Sequence, residues 1–328
     1  KAVLQAVQPL LDASLNDNVF GFRPGAHRNR VHALAKVAAL SAHRDRWSWL
    51  TCDIRDAFGS IPRGRMLDAV RLHLPAAKPT RLPSNLRVRM MQEGTEGDPN
   101  RNQLDLIRLI AMLADSGRPR GIPMGQPLCP VLLNLYLDHF LDRVWERRCP
   151  DIPLIRWADD LLVLCRSHQE AMAAYAALRG ILQPAGMHLK EEFEQAVCDL
   201  GSGGQTDWLG FSIRKSARDE VIRVSITEKA WRKLGEAISN AQHQTDTQTR
   251  TTAIISSWYW QLGPAYPHAD LRKTIARVTA LAHHHGARQT LTRQQMQDQW
   301  RNAYKHWTQV RDRACGAVRG RTVPRIST

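Results

Sequence analysis

Apolar and polar positions alternate with changing period along this chain, and the changes mark its elements. From Leu154 to Cys165 an apolar run, two adjacent carboxylates and a second apolar run fill twelve residues, Leu-Ile-Arg-Trp-Ala-Asp-Asp-Leu-Leu-Val-Leu-Cys. Short apolar runs joined by turn-forming residues predict two paired buried strands, with Asp159 and Asp160 at the tip of the hairpin. Trp47 to Ile54 predicts another strand, which delivers Asp53 near its end, and Arg63 to Leu74 a helix after it. Helical spacing marks Ala2 to Leu15, a basic amphipathic stretch from Ala26 to His43, and Leu104 to Leu113. It also marks Pro127 to Trp145, with proline at or near the first turn, where a missing N–H costs nothing. A helix from Gln169 to Ala185 closes at Gly186. Asp207 to Ile213 reads as a strand in which Gly210 lets another backbone approach. Ser225-Ile-Thr-Glu228 has capping-box spacing and reads as a helix start. Helices follow near Ala230 to Gln242, Thr251 to Leu262, Ala269 to His285 and Arg293 to Arg313. Phe20 to Gly25 is a turn, Pro79 to Arg118 contains a Pro/Arg-rich surface insertion, and Arg319 to Thr328 is expected to be mobile.

The 328 residues suffice for a full core and two or three subdomains, and 43% hydrophobic with 23% charged residues is an ordinary globular balance. The formal net charge of +15 is not ordinary. It favours a polyanionic partner, nucleic acid first and an anionic membrane surface second. From Arg214 onward there are 20 Lys and Arg against 8 Asp and Glu, so most of the excess is C-terminal. No apolar stretch approaches the roughly 18 residues a membrane span needs, and no signal peptide is visible, so a soluble cytoplasmic protein is expected. The six cysteines are scattered without a Cys-x-x-Cys pair, which argues against a zinc module and suits a reducing compartment. Cys52 and Cys165 read as small core residues. His283-His-His285 reads as a solvated helix end in preference to a metal site. The chain opens at Lys1 directly in a helical pattern, as a processed or truncated start would.

Asp159 and Asp160 are costly neighbours. Like charges repel, and desolvating them costs several kcal/mol without a compensating cation or donor. From the hairpin alone, a solvated acidic turn and a divalent-cation site stand about even. Asp53 tips the balance, because two strand-borne acids can meet at one sheet edge.

Three stretches then carry a family resemblance. Asp53-Ile-Arg-Asp-Ala-Phe58 is similar to the first palm motif of the reverse transcriptases, and within them of the group II intron and related prokaryotic enzymes. Trp157-Ala-Asp-Asp160 resembles their Tyr-x-Asp-Asp box, with Trp for Tyr. Arg120-Gly-Ile-Pro-Met-Gly-Gln-Pro-Leu-Cys-Pro-Val-Leu-Leu-Asn-Leu-Tyr-Leu137 is similar to their Gly-x-Pro-x-Gly loop and Ser-Pro-x-Leu-x-Asn helix, with Cys129 for Ser. Phe20-Gly-Phe-Arg-Pro-Gly25 looks like a fingers segment, Asp207 to Ile213 like the primer grip, and Ile254-Ile-Ser-Ser-Trp-Tyr-Trp260 like a thumb helix, whose aromatics read as core in preference to base-stacking groups. Met187 to Phe193 takes the place of the fourth palm motif, with Lys190 three residues before the usual lysine position.

The resemblance implies an α+β right-hand polymerase fold, with an antiparallel palm sheet, flanking helices and a helical thumb. The implied domains are partial fingers 1–46, palm 47–78, fingers insertion 79–118, palm 119–215, thumb 216–290 and a C-terminal helix with basic tail 291–328. Asp53, Asp159 and Asp160 become the catalytic acids and, with the Ile54 carbonyl, the ligands of two Mg²⁺ ions. Arg23, Phe58 and Gln126 would touch the incoming nucleotide, Phe58 as a filter against a 2′-hydroxyl or simply a core aromatic, and Arg23 toward the triphosphate or as a lock on the fingers. Asn134 would be a buried polar contact. Trp208, Leu209 and Gly210 would contact primer and template. The implied activity is RNA-directed DNA polymerisation on an RNA template with a DNA or RNA primer and dNTPs. A cognate noncoding RNA and a role in antiphage defence are the preferred setting, since no HNH-like segment follows the thumb. The alternative is a maturase-like RNA-binding protein of the same fold. A two-metal nuclease or phosphatase would leave the Gly-Ile-Pro-Met-Gly loop unexplained.

Overall fold

The computed structural model describes residues 2–74, 99–123, 125–216, 221–287 and 291–320. Residues 79–98 of the expected insertion and 321–328 of the expected tail lie outside them. Among the described residues seven strands form: β1 Ser48–Asp53, β2 Leu154–Trp157, β3 Asp160–Cys165, β4 Val197–Asp199, β5 Gln205–Trp208, β6 Phe211–Lys215 and β7 Ile222–Ile226. They make one sheet of order β2-β3-β1-β4 and another of order β5-β6-β7. The chain divides into two compact units, one of Lys1–Ala26, Cys52–Leu161 and Tyr175–Glu192, the other of His27–Thr51, Leu162–Ala174 and Phe193–Thr328. The expected hairpin is present, with Asp159 in the turn and Asp160 opening β3. Cys52 and Cys165 are buried as expected, and none of the six cysteines forms a disulfide. No helix among the described residues is long and apolar enough to cross a membrane.

In the first unit the central helix is Cys129–Leu137, whose every residue but Pro130 is buried. An all-round apolar helix can only be a core element. The expected single helix to Trp145 is instead broken by a π segment, Asp138–Asp142, and resumes as Arg143–Arg148. The widened turn sets Asp138 and Asp142 both inside, 0% and 5% exposed. Asp138 accepts hydrogen bonds from His73 Nε2 at 2.8 Å, Arg143 Nε at 2.7 Å and the Asn16 amide at 2.8 Å. Burial pushes its carboxyl up, but the donors His73, Asn16 and Arg143 outweigh it and hold the group below the usual range.

In the second unit the expected amphipathic helix Ala26 to His43 begins only at Arg30, because the Asn29 side chain caps it by accepting the Val31 and His32 amides, and it runs to Arg44. It is no surface helix: Val31, Ala33 to Ala35 and Val37 to Ser41 are buried. The alanines allow close packing against the helix Arg293–Gly320, which runs past its expected end at Arg313. Helices Glu228–Gln242, Thr247–Gln261 and Leu271–His284 complete this unit, close to their expected spans. His283 and His284 form the exposed end of the last, and His285, half-buried, caps it. Trp258 packs on Trp231 with centroids 4.8 Å apart, and Tyr259 on Trp300 at 5.6 Å, so these aromatics are core, whereas Trp260 is 47% exposed and stacks on His306. Gly263 is required where it sits, since a Cβ there would lie 2.3 Å from the Ala303 carbonyl oxygen.

Two local expectations are corrected. Asp207 to Ile213 is a hairpin, with Trp208 paired to Phe211 around Leu209 (φ 51°) and Gly210 (φ 83°). Gly210 is there for the left-handed turn geometry, since its nearest neighbours lie at an ordinary 3.5 Å. The Ser225 capping box does not form. Ile222, Val224 and Ile226 keep a period of two, so Ser225 stays in β7 opposite Ser212, and Thr227 caps the helix by accepting the Ala230 amide.

Candidate active site

Asp53 ends β1 where a short stretch, Met187 to Glu192, runs antiparallel to it. The Asp53 carbonyl accepts the Lys190 amide at 2.9 Å, and the Arg55 amide donates to His188 O at 2.9 Å, around the Ile54–Leu189 bridge. On its other side, the Ile54 amide donates to the Asp159 carbonyl at 3.0 Å. Asp53 and Asp159, 106 positions apart in sequence, are thereby brought to adjacent strand ends. Burial first, and then the charge of Asp53, push the Asp159 carboxyl above the usual range, against Arg156 and Lys190. Lys190 Nζ lies 3.6 Å from Asp53 Oδ2 and 3.7 Å from Glu191 Oε1.

Glu191, which the sequence reading did not single out, accepts the Asp53 amide at 2.7 Å through Oε2. Its signal was available as an acidic residue in the fourth motif, but nothing local revealed the partner. Beside this edge a cavity of about 300 Å³ is lined by Arg55, Tyr175, Arg179, Met187, His188 and Glu192, among others.

Beneath the Asp159 turn lies a buried polar assembly. Ala158 has φ 59°, an uncommon conformation for a residue with a Cβ. Its carbonyl accepts from Arg156 Nη1 at 2.9 Å. Arg156 also bonds Asn134 Oδ1 at 2.8 Å and pairs with Asp142 at 2.6 Å. Burial pushes the Asp142 carboxyl up to about 6, against the pull of Arg156. Asn134, 1% exposed, donates to the Gly21 carbonyl at 2.7 Å, the buried contact expected of it. Gly21 presses on the turn so closely that a Cβ would lie 2.4 Å from the Ala158 amide nitrogen.

The remaining site candidates divide. Phe58 sits half-buried in the short helix Ala57–Ser60, and its carbonyl accepts the Ile122 amide at 3.0 Å, which brings the Gly121 to Gln126 loop to it. Gln126 is exposed at the end of that loop. Arg23 does not reach out toward a nucleotide as the resemblance implied. Its guanidinium, 3% exposed, bonds both Asp12 carboxylate oxygens and the carbonyls of Asp12, Asn16 and Val19, which locks the turn to the first helix. Trp208 is 2% exposed within the second unit's core, so only Leu209 and Gly210 stand at its hairpin turn.

Among the described residues no three His, Cys, Asp or Glu side chains are arranged to hold a metal. Mg²⁺ does not require such a cage, because it commonly takes one or two carboxylates and completes its shell with water and substrate phosphates. Two acids on hydrogen-bonded neighbouring strand ends, one with a carboxyl pushed up by burial and by the charge of the other, fit that demand.

A family model described as reverse transcriptase (RNA-dependent DNA polymerase) matches residues 1–213. The chain is 27% identical over 143 residues to the retrovirus-related Pol polyprotein from type-1 retrotransposable element R2 of Nasonia vitripennis, covering 42% of this chain and 13% of that protein. It is 29% identical over 104 residues to an acyl carrier protein phosphodiesterase of Klebsiella pneumoniae (strain 342), covering 28% of this chain and 54% of the other. Among solved structures it is similar to apo telomerase from Candida Tropicalis, at 11% identity and a TM-score of 0.49 over 94% of this chain and 57% of that one. It thus spans less than two thirds of each relative's own length.

Proposed function

The chain belongs to the reverse transcriptase (RNA-dependent DNA polymerase) family, and on that premise we propose that it copies an RNA template into DNA from a DNA or RNA primer. Its helices and antiparallel sheets are of the α+β, right-hand polymerase class. The observation that carries the proposal is the Ile54 amide to Asp159 carbonyl bond at 3.0 Å, which sets Asp53 beside Asp159. Asp53 and Asp159 would hold two Mg²⁺ ions, with the Ile54 carbonyl as a further ligand and Asp160 in support. Bound Mg²⁺ supplies a more acidic primer 3′-hydroxyl and neutralises the triphosphate. Phe58 crowds the sugar 2′ position and selects deoxynucleotides, Gln126 lies beside the nucleotide, and the turn after Trp208, at Leu209 and Gly210, meets the primer. Palm residues are 47–78 and 119–215, between fingers at 1–46 and 79–118 and a thumb at 216–290 that tracks the duplex through phosphates, followed by a C-terminal helix and tail.

The Gly21-Phe-Arg-Pro-Gly25 segment supports the group II intron-like prokaryotic branch, and within that branch we propose work with a cognate noncoding RNA in antiphage defence.

Primer extension on an RNA template with Mg²⁺ and dNTPs tests the reading, against Asp159→Asn and against NTPs. Extension that falls by about 10³-fold or more in the variant supports it, since removal of a metal-binding carboxylate costs several kcal/mol of transition-state stabilisation. Tight, salt-sensitive RNA binding without extension would favour the maturase-like, RNA-holding protein instead.

A further inference from the structure

We infer that Arg156 is a positioning residue, which sets the backbone of the Asp159 turn through its buried pair with Asp142. The inference rests on the proposed role of Asp159. Arg156 lies three residues before Asp159 with its side chain 0% exposed, and all three guanidinium nitrogens are committed. Nε bonds the two Asp142 oxygens at 3.1 and 3.0 Å, and Nη2 bonds Asp142 Oδ2 at 2.6 Å and Asn134 O at 3.3 Å. Nη1 bonds Asn134 Oδ1 at 2.8 Å and, at 2.9 Å, the carbonyl of Ala158, the left-handed residue immediately before Asp159.

Each partner fixes one degree of freedom. Asp142 orients the guanidinium plane from the π segment, which is what turns Asp142 inward. Asn134 ties that plane to the Gly21 carbonyl, and Gly21 closes the other side of the turn against the Ala158 amide. The left-handed backbone at Ala158, unfavourable for a residue with a Cβ, is held by these contacts. The planar fork matters, because a lysine ammonium presents its donors from one point and cannot meet Asp142, Asn134 and Ala158 together. Stability does not explain the assembly. A buried ion pair is commonly matched or exceeded by apolar residues of similar size. What the pair supplies is the backbone conformation of the turn that sets Asp159 beside the end of β1.

The double variant Asp142→Leu/Arg156→Met separates the two roles, since it replaces the pair with apolar volume. The readouts are thermal melting, Mn²⁺ binding followed by electron paramagnetic resonance without substrate, and single-nucleotide extension. We expect melting within a few degrees of the parent, Mn²⁺ affinity weakened about tenfold or more, and kcat lowered about 100-fold with KM for dNTP changed less than about threefold. Arg156→Lys, which keeps the charge for Asp142, should lose Mn²⁺ affinity and kcat in the same direction, and it decides the matter if the double variant does not fold. Parent-like Mn²⁺ affinity and turnover in either folded variant overturns the inference and leaves the proposed activity standing. A parent chain that binds Mn²⁺ but never extends a primer, while the variants lose Mn²⁺, overturns the activity and supports the positioning role.

Discussion

The backbone amide of Asp53 donates to the side chain of Glu191 over 2.7 Å, across 138 positions of sequence. This bond, with the Lys190 ammonium 3.6 Å from Asp53 Oδ2, makes the segment after Gly186 part of the acidic edge.

Glu191→Ala leaves the Asp53 amide without its acceptor, a loss worth about 1–3 kcal/mol where water does not replace it. The Glu191 side chain is 25% exposed, so water recovers part of that. Single-nucleotide turnover is expected to fall about tenfold with melting shifted by only a few degrees. Unchanged turnover would show that the brace does not matter to the edge.

The exposed and buried aromatics of Thr247–Gln261 should behave oppositely. Trp258→Ala removes a side chain packed on Trp231 and is expected to cost about 3–5 kcal/mol in chemical denaturation. Trp260→Ala, at a residue 47% exposed and stacked on His306, should change stability by less than about 1 kcal/mol. If Trp260→Ala also weakens RNA binding at constant salt, that face stacks bases, and the core reading of these aromatics holds for Trp258 and Tyr259 alone.

His32 gives the second unit an acid-sensitive point. Burial, then the charges of His27, His306 and Arg313, lower its pKa from 6.5 to about 4. The unfolded chain therefore takes up the proton first as pH falls, so stability is full above about pH 6.5 and is lost between there and about pH 4. Melting temperatures from pH 7 to 5 should drop, and His32→Gln should flatten that part of the profile. An unchanged slope in the variant would assign the acid sensitivity elsewhere.

Much of the fold was legible in local pattern. The hairpin that carries Asp159 and Asp160, the β1 strand ending in Asp53 and the thumb-like helices were predicted within a few residues, because strand and helix periods are written in neighbouring side chains. The misreadings share one cause. Ser225 had capping-box spacing, but its strand partner Ser212 decided its state. Gly210 within an apolar strand pattern suggests close backbone approach, but the pairing of Trp208 with Phe211 makes it a turn residue. Ala26 to His43 has an amphipathic pattern, but the helix is covered nearly all round.

Strand and helix periods and each acidic motif are written in residues close along the chain, and the basic balance follows from composition alone. Which groups meet follows from how the chain packs. That packing binds Arg23 to Asp12, sets Glu191 under Asp53 and turns Asp142 inward to Arg156 through a π segment. A hydrogen bond between distant positions depends on how the core packs around both of them, and no local spacing encodes that.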